Sequence, residues 1–234
     1  HRYSSAASDV YKRQVSISGT VLESRFHFSK LQLETTLTSQ RGVPTISIED
    51  TISNLSASPA EAQMLYHLNL GDPVLDGGAQ FNAPVKRLVP RNAHAASSLN
   101  GWNNYPAPQP GIEEQVYFMS MHADEKQKTL ALLKNAHSTH GCCLRYDTTS
   151  LPYFSLWKNP TAFEDGYVTG LEPGTNFPNP RSFEGDHKRF IPLAPGEQTQ
   201  LGFTLELLDS EEAISARDQE ICLLYTSPSP RDIS

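Results

Sequence analysis

Apolar and polar residues alternate along three segments of the chain, at residues 31–38, 45–50 and 200–207. A period of two places one set of side chains on a buried face and the other toward solvent, which is typical of antiparallel strands. Runs rich in β-branched and aromatic residues predict further strands at 15–28, 63–70, 115–122, 129–133, 142–146, 153–157 and 167–171. Residues 130–135 also fit a short helix.

Turn-forming residues separate these strands, at 40–42 (QRG), 77–78 (GG) and 194–197 (APGE). Residues 92–111 are rich in Asn, Pro, Ala and Ser, and we interpret them as one surface loop over a binding face. Many strands joined by short turns predict an all-β protein built as a large antiparallel β-sandwich.

The two ends of the chain have an unusual relation to each other. Residues 9–14 (DVYKRQ) and 222–227 (CLLYTS) can be encoded by DNA strings that are reverse complements. We interpret residues 1–14 and 222–234 as translated sequencing adapter. The natural domain is then a truncated β-sandwich fragment spanning residues 15–221.

Composition narrows the class of partner. The 234 residues carry 19 basic and 26 acidic side chains, a formal net charge of −7. An acidic surface repels phosphate backbones and anionic lipid, so neither nucleic acid nor membrane is expected as a partner. The adjacent Cys142 and Cys143 are poorly placed to bridge each other, and Cys222 lies in the adapter segment. Without a disulfide framework, a cytoplasmic location is expected.

Two clusters carry candidate acid–base groups. His67 and Asn69 are two apart in a predicted strand and therefore share a polar face. Glu172 ends an apolar strand directly before Pro173, a rigid placement that suits a general base. Taken alone, each fits a plainer role better, the histidine as a structural or surface residue and the glutamate as an exposed strand end.

Two further clusters could bind a ligand. Trp157 offers an apolar platform for a sugar ring and Lys158 a hydrogen-bond donor, although a core tryptophan with a snorkelling lysine is the plainer alternative. Glu113 and Glu114 are adjacent carboxylates that fit simple solvation as well. The spacing of His137, His140 and Cys142 is a weak metal signal without a second ligand pair, so no metal is expected.

In order along the chain, these clusters resemble the aldose 1-epimerase (galactose mutarotase-like) superfamily, in particular a poorly characterised branch described only as a domain of unknown function. The motifs that carry the resemblance are residues 66–71 (YHLNLG), 73–79 (PVLDGGA), 114–117 (EQVY), 151–158 (LPYFSLWK), 170–176 (GLEPGTN) and 193–197 (LAPGE). The resemblance implies a large antiparallel supersandwich with an open sugar cleft.

The resemblance also implies the chemistry. An acid and a base on opposite sides of a pyranose ring open it and let it close as the other anomer. Glu172 resembles the base, His67 the acid, and Glu114 an acidic sugar-binding residue. Sugar-binding roles are also expected for the motif residues Asn69, Asp76, Tyr117, Trp157 and Lys158. No cofactor is implied. Family members supply an arginine and often another histidine from a preceding segment that we expect this fragment to lack.

The sequence therefore predicts an isomerase that binds a small-molecule sugar and interconverts its anomers. Two alternatives remain open: a non-catalytic carbohydrate-binding protein on the same scaffold, and an accessory sandwich domain of a larger lyase or hydrolase.

Overall fold

The computed structural model describes residues 6–9, 14–25 and 29–226, and antiparallel strands dominate it. In chain order the strands are β1 (Ala6–Asp9), β2 (Gln14–Ser24), β3 (Lys30–Gln40), β4 (Thr45–Asn54), β5 (Ala60–Ala62), β6 (Leu68–Leu70), β7 (Gln80–Asn82), β8 (Val85–Pro90), β9 (Gln115–Met121), β10 (Lys128–Lys134), β11 (Gly141–Asp147), β12 (Tyr153–Asn159), β13 (Val168–Gly174), β14 (Ile191–Leu193) and β15 (Gln198–Leu208). The helices are α1 (Ala93–Ser97), α2 (Arg181–Asp186) and α3 (Glu211–Thr226), with a 3-10 turn at Phe163–Asp165.

The first of two compact units comprises His1–Met64 and Asn179–Glu206. Strands β1, β2, β3, β4 and β15 neighbour one another in that order, and each described pair is antiparallel. Ile17, Leu37, Ile48 and Phe203 lie opposite one another across four strands, so they share one apolar face. The three alternating segments are thus confirmed as strands. Of the predicted strand 15–28, residues 26–28 lie outside the described part of the chain.

The second unit comprises Leu65–Pro178 and Leu207–Ser234. One sheet has the order β6-β13-β12-β9-β8, and β7, β10 and β11 pair side by side in another. Phe154 of β12 meets Phe81 of β7 with ring centroids 5.6 Å apart and Tyr146 of β11 with centroids 6.0 Å apart. These aromatic contacts join the inner faces of the two sheets, which is the packing of a β-sandwich.

Strand β10 is buried on both faces. Leu130 and Leu132 pack against Ile214 and Ile221 of α3, while Leu133 lies opposite Phe81 on the inner face. A strand covered on both sides reads as a continuous apolar run rather than an alternating one. This is why a short helix at residues 130–135 was an alternative from the sequence; residues 128–134 form a strand.

The segment 92–111 is mostly irregular but begins with α1, whose first turn is capped by the Asn92 side chain accepting from the Ala95 N–H at 2.9 Å. Cys142 and Cys143 are buried and unbridged. Across residues 6–9, 14–25 and 29–226, none of the helices has the length and apolar character needed to cross a bilayer.

Candidate functional site

The outer face of the five-stranded sheet brings His67 and Glu172 into direct contact. Asn69 of β6 lies opposite Gly170 of β13, which places the histidine just before β6 beside the glutamate two residues after Gly170. His67 Nε2 lies 3.0 Å from Glu172 Oε1. The His67 side chain is 44% exposed and the Glu172 side chain only 4%, so the histidine lies between solvent and a buried acid.

The contact corrects the expected geometry. An acid and a base on opposite sides of a sugar ring would be separated by the width of that ring. These two groups instead lie within hydrogen-bond distance of each other. They lie on the same side of any ligand that approaches this face. The sequence identified the two residues, but it carried no information on their separation.

Gly170 makes the close contact possible. A Cβ at this position would lie 2.7 Å from Glu172 Oε1, 3.0 Å from His67 Cε1 and 3.3 Å from Trp157 Cε3. Three side chains therefore converge over one glycine, because any other residue would fill the space that they occupy. A glycine inside a strand often marks such a close approach, so residue 170 was a signal that sequence reasoning missed.

Trp157 forms the second wall of the site. It lies opposite Gly170 in the neighbouring strand, and its ring centroid is 5.6 Å from that of His67 at an interplanar angle of 57°. The indole Nε1–H donates to Glu114 Oε2 at 2.7 Å, and Arg91 Nη2 donates to Glu114 Oε1 at 3.0 Å. Arg91 was not singled out from the sequence, where nothing distinguishes it from other surface arginines.

Burial changes the acidity of Glu172. Loss of solvent raises the pKa of its carboxyl to about 7, and the negative charge of Glu114 contributes in the same direction. Near neutral pH the Glu172 carboxyl is therefore present in both its protonated and its ionised form, as a group that takes up and releases a proton must be.

Lys158 does not belong to this face, contrary to expectation. Adjacent strand residues point to opposite sides, so with Trp157 outward Lys158 points into the sandwich, where it is 1% exposed. Its Nζ donates to the carbonyls of Trp102 at 2.8 Å and Asn104 at 2.7 Å. Burial lowers the pKa of Lys158 to about 8.

Tyr117 is a second correction. It lies opposite Leu156 on the inner face and is fully buried, with its hydroxyl donating to the Ala95 carbonyl at 3.1 Å. Tyr117 therefore anchors α1 to the sheet and does not reach a ligand on the outer face. Asp76, in the turn after β6, accepts the Ala136 N–H at 2.8 Å and ties two loops together.

The residues that the structure does place around the pair are Asn69, Glu114 and Trp157. Asn69 is exposed on the same face as Gly170, and Glu114 is 44% exposed at the rim. Within the described part of the chain, no group of three or more His, Cys, Asp or Glu side chains could hold a metal ion.

The convergence over Gly170 leads to a first prediction. Gly170→Ala should reduce any activity of the site roughly 10²-fold, because displacing reacting groups by about 1 Å has effects of that size. Gly19→Ala in β2 is the matched control, since a Cβ there would meet no atom within 4 Å. Steady-state rates and circular dichroism of both variants check this. Full activity in Gly170→Ala would show that the close packing is irrelevant to function.

The chain belongs to the family described as Domain of unknown function (DUF4432), whose model matches residues 2–207. The match begins inside the segment 1–14 that we interpreted as adapter, and that interpretation remains a prediction. No curated protein matches this chain.

Solved structures show the fold. A Klebsiella pneumoniae subsp. pneumoniae MGH 78578 protein assigned as an aldose 1-epimerase has a TM-score of 0.90 and 35% identity, over 94% of this chain and 57% of that protein. A galactose mutarotase-like protein from Clostridium acetobutylicum has a TM-score of 0.59 and 13% identity, over 88% of this chain and 66% of that one. An Escherichia coli K12 protein assigned as an aldose 1-epimerase has a TM-score of 0.56 and 14% identity, over 87% of this chain and 68% of that protein. The fold is the galactose mutarotase-like β-sandwich, and this chain spans 57% of the Klebsiella protein.

Proposed function

We propose that this chain carries the acid–base site of an aldose 1-epimerase-type isomerase, which interconverts the anomers of a free sugar. The observation that supports the proposal is the 3.0 Å contact between His67 Nε2 and Glu172 Oε1 on the outer sheet face, beside the Trp157 indole. The likeness to proteins assigned as aldose 1-epimerases agrees with it.

The contact geometry suits the reaction. The anomeric hydroxyl oxygen and the ring oxygen of a pyranose are both bonded to C1, so a base for one and an acid for the other can lie close together on one side of the sugar. Glu172 as carboxylate accepts the hydroxyl proton while protonated His67 donates to the ring oxygen. The C1–O5 bond breaks with its electrons going to O5, and the electrons of the former O–H bond complete the C1=O1 double bond.

Reversal of these steps completes the reaction. The open-chain aldehyde rotates about C1–C2, which presents its other face to the O5 hydroxyl. Neutral His67 then takes the proton from O5, and protonated Glu172 returns a proton to O1. The pair ends in its starting state, so neither a metal nor an organic cofactor takes part in this scheme.

The surroundings of the pair favour a sugar over an apolar ligand. Trp157 presents a flat ring that can pack against sugar C–H groups, and the exposed Asn69 amide can both donate to and accept from hydroxyls. An arginine without an acidic partner could bind an anionic group on the sugar. Arg145 and Arg181 form ion pairs with Glu220 and Glu61, so neither is evidence for an anionic sugar.

Anomer exchange is the test of this proposal. A panel of aldoses is examined by NMR saturation transfer with the chain extended to the full length of its relatives. Exchange above the spontaneous rate is expected, and the acidic limb of its rate–pH profile should lie near pH 7, because only the carboxylate form of Glu172 accepts a proton. Spontaneous rates for every sugar of the panel would refute the proposal.

One observation favours the non-catalytic alternative. The Glu172 side chain is only 4% exposed, so a sugar must displace His67 from it before the carboxylate can act. If sugars shift the Trp157 indole resonance without accelerating exchange, the protein is a carbohydrate-binding module on this scaffold. Binding and exchange are therefore measured on the same samples.

A further inference from the structure

Glu114 belongs to a series of side-chain contacts that runs from Arg91 at the rim of the site to the buried Glu172. Its two carboxylate oxygens accept from Arg91 and from the Trp157 indole, at 3.0 Å and 2.7 Å. Trp157 in turn lies 5.6 Å from the His67 ring, and His67 contacts Glu172. Both oxygens are thus engaged in fixing protein groups.

The indole has one hydrogen-bond donor, and Glu114 accepts it. A tryptophan on a sheet face can tilt about its side-chain bonds, and a charged acceptor at 2.7 Å fixes one orientation. That orientation puts Trp157 Cε3 over the position where a Gly170 Cβ would be, next to both His67 and Glu172. Releasing the indole would therefore remove the wall that confines the histidine.

We propose that Glu114 is a positioning residue: it holds Trp157 against His67 and maintains a negative charge near the buried Glu172, with Arg91 moderating that charge from the rim. The inference deepens the proposed function, on which its consequence for catalysis rests. Among the described residues, His67 contacts Glu172 directly and the charge of Glu114 acts on it, while Arg91 pairs with Glu114 at the rim.

The charge and the hydrogen bond can be separated by substitution. Glu114→Gln keeps an oxygen that accepts the indole N–H but loses the charge, so the pKa of Glu172 should fall from about 7 toward 4.5 without reaching it, because burial is the larger cause. Arg91→Gln leaves the charge unmoderated, so the pKa of Glu172 should rise. Glu114→Ala should additionally shift the Trp157 indole resonance.

The experiment is an NMR titration of the Glu172 carboxyl carbon, with the indole resonances of Trp157 and Trp102 recorded on the same samples. Glu113→Gln is the matched control, since this neighbouring side chain is 78% exposed and should change neither signal. Opposite shifts of the Glu172 titration in Glu114→Gln and Arg91→Gln support the inference.

A Glu172 titration unchanged in Glu114→Gln, or an unmoved Trp157 resonance in Glu114→Ala, would overturn the inference. These readouts need no turnover, so a protein that fails to exchange anomers refutes the proposed function and leaves this test intact. Where exchange is present, Glu114→Gln should shift the acidic limb of the rate–pH profile to lower pH, as it shifts the NMR titration of Glu172. A merely structural role of Glu114 would leave that limb at the same pH.

Discussion

Replacing Glu172 by glutamine is expected to reduce anomer exchange by about 10²–10⁴-fold, the usual contribution of a positioned general base. The amide has nearly the same shape and can still accept from His67 Nε2, so the packing over Gly170 is kept. What is lost is the ability to take up the proton of the anomeric hydroxyl. NMR saturation transfer measures the rate directly.

Stability separates this loss from a folding defect. A neutral amide avoids the cost of burying a carboxylate, so Glu172→Gln should unfold at the same denaturant concentration as wild type or at a higher one. Glu125→Gln, on an exposed turn, is the control and should alter neither quantity. Wild-type exchange in Glu172→Gln would mean that some other group removes the proton, and the proposed mechanism would be wrong.

The parts of the fold with a clear period of two could be predicted from the sequence. Strands β3, β4 and β15 contain the alternating segments 31–38, 45–50 and 200–207, and the structure confirms them as parts of strands of ten or eleven residues. Strands of three residues such as β5, β7 and β14 are too short to show any period, so they were missed. They are recognised only through the partners that they pair with.

Helix α3 was not predicted from the sequence, for a different reason. Residues from 222 onward were set aside as adapter, which left too little of the apolar stripe to suggest a helix. In the structure Ile214, Ile221 and Leu224 pack together against β10, so the stripe crosses the supposed boundary. Packing of this kind does not reveal the origin of a segment, and the domain boundaries remain a prediction.

In the candidate site, the sequence named the two residues that contact each other, His67 and Glu172, but misjudged their surroundings. Trp157 and Lys158 were both expected to contact a sugar, although adjacent residues of one strand cannot point to the same face. Strand parity alone required one of them to be internal. A lysine is the poorer candidate for burial by residue type. The loop carbonyls of Trp102 and Asn104, distant in sequence, and the Tyr105 ring 4.7 Å from the ammonium make that burial possible.

Lys158 should therefore stabilise the folded protein, and Lys158→Ala is expected to lower the free energy of unfolding by about 3 kcal/mol or more. The truncation opens a cavity under the sheet and leaves the two carbonyls without their donor. The control is Lys128→Ala, whose exposed ion pair with Asp147 should be worth ~1 kcal/mol or less. Urea denaturation measures both, and equal small losses would contradict the structural role.

The pH dependence of stability gives an independent check of the same residue. The pKa of Lys158 is about 8 in the folded protein and 10.5 when unfolded, so between these values the unfolded chain binds more protons. Stability should then rise as pH increases from 8 toward 10. Lys158→Met keeps much of the buried apolar volume but cannot titrate, so it should lose less stability than Lys158→Ala and should lack this rise. A rise that persists in Lys158→Met would assign it to another group and contradict the lowered pKa of Lys158.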